Sequence, residues 1–114
     1  MLKFLDGPAA GVLLGCARAP YFLRVVRDGL TWDALDQLTD APNPRESIHV
    51  YRKSEDHGTV HYDGRDKHGK RFGRWEQCAD YRLHEHQPDD ATIRNNALWA
   101  AWAQAEYAKT EAAR

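Results

Sequence analysis

The residues with the clearest chemical potential lie in one short run, Arg65-Asp66-Lys67-His68-Gly69-Lys70-Arg71-Phe72-Gly73-Arg74-Trp75. It holds five permanent positive charges against one negative and interleaves them with two rings. Cations at this density attract phosphates through counterion release, and exposed rings can stack on bases. Arg65, Lys67, Lys70, Arg71, Phe72, Arg74 and Trp75 are therefore the candidate nucleic-acid contacts. The competing reading is a solvated hairpin loop in which the glycines permit turning and the aromatics dock back on the core. The signal is one of composition and not of a defined motif.

The other chemistry-bearing types do not assemble into a reactive set. His84 and His86 would project to one side of an extended strand, with Cys78 and Asp80 on the same alternation and His61 within reach across a sheet. No recurring zinc spacing accompanies them, so no metal site and no cofactor is expected. Ser47, Ser54, Cys16 and Cys78 lack a glycine-flanked elbow or any other nucleophile setting, and no catalytic residue is assigned. The acidic pairs Glu55-Asp56 and Asp89-Asp90 read as loop solvation and helix capping. Gly7-Pro8-Ala9-Ala10-Gly11 lacks the lysine and hydroxyl that complete a phosphate loop, leaving a turn.

These residues must be carried by a scaffold, which the punctuation of the chain outlines. Leu2 and Phe4 flank the Asp6–Gly11 turn formers together with Val12, Leu13 and Leu14, a first hairpin. Tyr21–Arg27 is rich in aromatic and β-branched residues and ends at Asp28-Gly29, so it reads as a third strand. Leu30–Leu38 fits a helical turn or a short strand equally, before a loop at Thr39–Pro44. Ile48–Lys53 and Thr59–Asp63 are two β-rich segments around the polar Ser54–Gly58, expected to pair antiparallel as a hairpin. Trp75–His84 reads as a last strand.

From Ala91 the period becomes helical, with Leu98, Ala101, Trp102, Ala105, Ala108 and Ala112 near one face. Pro88, Asp89 and Asp90 supply the start signal and negative charge at the positive end of the helix dipole. If the Leu98–Trp102 stripe packs on the sheet, Trp99 lies about a quarter turn aside and Tyr107 faces roughly opposite. Both rings are candidate partner-binding residues, because tryptophan and tyrosine are enriched at interface hot spots; the alternative for Trp99 is that it rims the core. An alanine-rich helix also permits close approach of a second copy, so a homo-oligomer is compatible with it.

Composition bounds the remaining choices. A domain of 114 residues buries roughly 65% of its unfolded-chain surface, and 42% hydrophobic with 29% charged residues is an ordinary globular composition. The mean hydropathy is −0.76 and the longest early apolar stretch, Ala9–Leu14, is interrupted by Gly11, so no membrane segment is expected. Asp6, Gly7 and Pro8 break any secretory signal, which points to a cytoplasmic protein with two unpaired thiols at Cys16 and Cys78. A net charge of −1 provides no overall field for a polyanion, so any nucleic-acid contact must come from a local patch.

Leu5-Asp6-Gly7-Pro8-Ala9-Ala10-Gly11, followed by a strand, a Pro-rich loop, Val50-Tyr51-Arg52 and Tyr81-Arg82-Leu83, resembles small proteins of bacteriophages and bacteria that open with a Gly-Pro-x-x-Gly hairpin. The resemblance spans about the first three quarters of the chain and implies a small accessory β domain of phage or mobile-element origin, with no catalytic residue to carry over. The expectation is thus a single α+β domain over 1–114. Its body, 1–87, is a small twisted antiparallel sheet or partly open barrel, and 88–114 is one C-terminal amphipathic helix. The leading functional expectation is a non-enzymatic module that binds another protein, of host or virion. The alternative is a nucleic-acid binder using 65–75.

Overall fold

The computed structural model of the chain describes residues 1–36 and 42–113. In chain order the elements are β1 (Leu2–Phe4), β2 (Leu13–Leu14), β3 (Phe22–Asp28), β4 (Thr31–Leu35), β5 (Ser47–Arg65), β6 (Arg71–Leu83), α1 (Asp90–Arg94) and α2 (Asn96–Ala112). The fold is α+β. The six strands form one sheet in the order β2-β1-β6-β5-β3-β4, and its edge strands β2 and β4 come into contact, curling the sheet into a nearly closed barrel. The expected antiparallel pairing holds except between β1 and β6, which run parallel with Leu2 beside Ala79 and Phe4 beside Tyr81. Among the described residues no helix is long and apolar enough to cross a membrane.

Turn chemistry accounts for the short connections. Gly7 and Gly11 adopt positive φ (69° and 84°) between β1 and β2, and Gly29 (61°) closes the β3–β4 hairpin. A Cβ on Gly7 would stand 2.8 Å from the Tyr51 hydroxyl and 2.9 Å from Leu83, so this turn lies hard against the barrel. The ambiguous Leu30–Leu38 resolves, where it is described, into the strand β4. Residues 37–41 lie outside the described residues.

One expectation is corrected outright. Ile48–Lys53 and Thr59–Asp63 do not pair with each other, because both belong to the single 19-residue strand β5 and both pair with β6. The polar Ser54–Gly58 segment is no hairpin loop. It is absorbed as two irregularities of register, between Lys53 and Glu55 and between Asp56 and Thr59, with Gly58 at φ 77° and its N–H donated to Asp56 Oδ1 (2.8 Å). A bulge uses the same glycine and acidic residues as a turn, and here β6 offers a longer partner than either half of β5 offers the other.

The barrel interior is filled by Leu2, Phe4, Ala9, Leu23, Val25, Tyr51, Ala79 and Tyr81. Strand β3 is buried on both sides. Its alternate residues Phe22 and Arg24 face outward, where Phe22 packs with Val50, Ile93 and Trp99 beneath the helices. The C-terminal helix is in fact two. Asp89 caps α1 by accepting the Thr92 N–H (2.8 Å), as the Pro-Asp-Asp signal predicts, but Asn95 leaves the helical conformation (φ −104°, ψ 120°) and recaps the chain through the N–H groups of Ala97 and Leu98.

That second cap sets the helix phase, and the phase differs from the expected one. Trp99, 4% exposed, is the buried residue of α2, with Trp102 and Ala103 half-buried beside it, whereas Leu98 is 50% exposed. Alanines at many positions leave the rotation undetermined, so the two large rings three residues apart decide it. The deeper ring meets Arg24. This side chain has no solvent exposure; its Nη1 donates to the Ile93 carbonyl (3.1 Å), its Nη2 to Asn96 Oδ1 (3.0 Å), and its guanidinium lies 5.2 Å from the Trp99 ring centre.

Trp99→Ala should therefore cost about 3–5 kcal/mol of folding stability by removing a buried ring, while Leu98→Ala should stay within about 0.5 kcal/mol as an exposed change. Urea denaturation of both variants checks the order, and a reversed order would rotate the helix back. Arg24→Met should cost about 2–3 kcal/mol by stranding the Ile93 carbonyl and the Asn96 side chain, measured the same way.

Candidate nucleic-acid interface on the β5–β6 arm

Beyond the irregularities in β5, the segment Thr59–Arg65 pairs with Arg71–Gln77 and with no other strand among the described residues. The two strands form a ribbon that leaves the barrel and exposes most of its side chains. The basic run is thus an arm tip instead of a loop: Arg65 ends β5, Arg71–Trp75 open β6, and only Asp66–Lys70 turn. Asp66 builds that turn. Its Oδ1 accepts the N–H groups of His68 and Lys70 (2.9 Å each), and its carbonyl accepts from Gly69, which sits at φ 79°. The one acid of the run is occupied by backbone donors. Lys67, Lys70 and Arg71 have no ion pair among the described residues.

Cross-strand partners share a face of a ribbon, so the register sorts the side chains. One face carries Val60, Tyr62, Phe72 and Arg74. There Phe72 lies over Gly64, where a Cβ would come 2.7 Å from its ring, and the Arg74 guanidinium is 6.0 Å from the Phe72 centre while pairing with Glu76 at 2.9 Å. The other face carries His61, Trp75, Asp63, Arg65 and Arg71. There His61 covers Gly73 and its ring centre is 4.7 Å from that of Trp75. Each face thus uses a ring to cover a glycine of the other strand, directly opposite for Phe72 and diagonal for His61, a device that supports an isolated ribbon.

Two features of the second face are unfavourable for a free arm. Arg65 and Arg71 are directly opposite each other in the register, and like charges in that position destabilise a strand pair. Trp75 is 68% exposed, the least covered aromatic ring of the arm. The alternative that the aromatics dock back on the core does not hold for Phe72 or Trp75. Val60 and Tyr62 carry no candidate role in the sequence and His61 only a metal-ligating one, because two separate strands over Ile48–Lys53 and Thr59–Asp63 paired with each other would leave no arm. Their alternation with His61 between Val60 and Tyr62 was the available signal.

The residues proposed for a protein partner are placed differently. Trp99 is in the core. Tyr107 is partly exposed and its ring packs edge-on to Tyr21, with centres 5.1 Å apart, so it flanks the helix–sheet contact and does not face away from it. His84 is buried just beyond β6 with Nε2 3.2 Å from Glu106 Oε1, and His86 stands beside it with ring centres 5.7 Å apart. Cys16 and Cys78 are free and half-buried, and burial with the negative charge of Asp36 nearby pushes the Cys16 thiol up to about 11.

Among the four tryptophans, Trp75 should supply most of the quenchable fluorescence. Acrylamide quenching should fall sharply in Trp75→Phe with little change in melting temperature, since exposed substitutions usually stay within about 0.5 kcal/mol. An unchanged quenching curve would place Trp75 against the protein.

Compared with known proteins, the chain matches no family model, no curated sequence and no solved structure.

Proposed function

We propose that the chain is a nucleic-acid-binding module whose working part is the β5–β6 arm. The observation that carries this reading is the directly opposed Arg65–Arg71 pair, neither of which is in an ion pair among the described residues although Arg65 Nη1 donates to the Gly69 carbonyl (3.1 Å), on the same ribbon face as the exposed Trp75. An anion lying between the two guanidiniums relieves their repulsion, and a ring next to that anion offers a stacking surface for the attached base. Lys67 and Lys70 extend the positive field around the tip. A net charge of −1 is no obstacle, because the cations are gathered at the end of an arm and phosphate contacts act over about a Debye length, ~10 Å. The arm acts as a binder, with no reacting group assigned to it.

A protein partner remains the second reading, moved from the helix to the opposite face of the arm. Val60, Tyr62 and Phe72 are each about two-fifths exposed there, an apolar patch suited to strand-side packing. Lysines are depleted in protein interfaces, and the tip is rich in cations, which favours the first reading.

Fluorescence anisotropy with a labelled single-stranded oligonucleotide discriminates the two. Wild-type protein should bind at about 50 mM salt and lose roughly tenfold or more in affinity by about 200 mM, as expected for a few phosphate contacts. Arg71→Ala and Arg65→Ala should each weaken binding and reduce the salt slope by about one unit, while Phe72→Ala should leave both nearly unchanged. Absence of binding at low salt, or sensitivity to Phe72→Ala without sensitivity to Arg71→Ala, would remove the nucleic-acid reading.

A further inference from the structure

We propose that Glu55, His57 and Asp80 form a binding site for a divalent transition-metal ion, Zn²⁺ being the natural probe, at the root of the arm. The three residues come from both strands where the arm leaves the barrel. Glu55 is directly opposite Asp80 in the register, and His57 is carried by the second irregularity of β5, ahead of Gly58. One ligand atom from each lies within 4.8 Å of the other two, and His57 Nε2 is already 3.0 Å from Asp80 Oδ2.

The charges around the cluster call for a cation. Two carboxylates directly across a strand pair repel each other. Two lysines are close: Lys53 has its ammonium 3.1 Å from Asp56, whose other oxygen accepts the Gly58 N–H, and Lys3, beside Asp80 in the β1–β6 register, makes no ion pair with either carboxylate among the described residues. One imidazole with two carboxylates is a borderline-soft N/O set, which suits zinc and its neighbours, whereas calcium and magnesium want more oxygens and no imidazole. Bonds of about 2.1 Å to a tetrahedral ion separate ligands by about 3.4 Å, so the cluster must tighten. Glu55 and His57 are exposed and Asp80 half-buried, so their side chains can rotate to do so without disturbing the core.

Three protein ligands leave a fourth position for water. The ion would tie β5 to β6 at the place where register is lost, and so brace the base of the arm. This inference is independent of what the arm binds.

Zn²⁺ titrated into the full chain, followed by calorimetry and by the imidazole resonances of the histidines, tests it. The expected result is saturable one-to-one binding that shifts the His57 resonances and falls at least tenfold in His57→Ala and in Asp80→Asn, both with unchanged melting temperature, while His86→Ala binds as wild type. Zinc binding that survives His57→Ala, or that is lost in His86→Ala, would overturn the assignment and move the ion to the His84–His86 pair; no saturable binding at all would overturn it outright.

Discussion

Burial of the Arg24 guanidinium between the sheet and the helices is the constraint on which the helical half of this protein depends. Taking a charge out of water costs several kcal/mol unless it is surrounded by acceptors. Arg24 meets that cost with the Ile93 carbonyl at the end of α1, the Asn96 side chain at the start of α2, and the face of Trp99. The first two exist as acceptors in the right place because Asn95 interrupts the helix. A continuous helix would use the Ile93 carbonyl for its own ladder four residues on. The break, the buried arginine and the inward Trp99 are therefore one arrangement.

The barrel uses the same economy with tyrosines. Tyr51 is buried in the interior with its ring edge-on to Phe4, yet its hydroxyl donates to the Asp6 carbonyl (2.9 Å) and accepts the Ala9 N–H (2.8 Å). Tyr81, also buried, donates to the Pro20 carbonyl. Burial pushes both phenols upward in pKa, so they stay neutral donors across the ordinary pH range. Two phenol groups thereby tie the loop after β1 and the entry to β3 to the inside of the barrel, where a purely apolar core would leave those backbone groups unsatisfied. Asp6 adds a third tie by accepting the Leu83 N–H (2.6 Å).

Because body and helices complete their cores without the arm, the arm is free to carry an unfavourable surface. It holds an opposed arginine pair, several half-exposed rings and an exposed tryptophan, none of which contributes to the two buried clusters. Features that lower the stability of a ribbon without improving the fold are expected where a surface has been shaped for contact. The irregular stretch of β5 between Lys53 and Thr59 separates the two regimes, with paired and covered strand on one side and a two-stranded ribbon on the other.

Local chemistry was legible in the residues themselves. The glycine turns at Asp6–Gly11 and Asp28-Gly29, the β-rich run that became β3, the Asp89 cap and the cationic cluster at 65–75 all follow from propensity, φ freedom and charge, which act over a few residues. Pairing was not legible. Ser54–Gly58 has the composition of a hairpin loop and became a pair of bulges, because the strand register is decided by the longest available partner, and β6 lies beyond the turn. The rotation of α2 was equally hidden, since alanines fit any face and only the distant Arg24 and Phe22 select Trp99 over Leu98. So too for the candidate sites: the cations of the arm could be read in order along the chain, but that Arg65 faces Arg71 beside Trp75, and Glu55 faces Asp80 beside His57, was set by a cross-strand register that no local interaction determines.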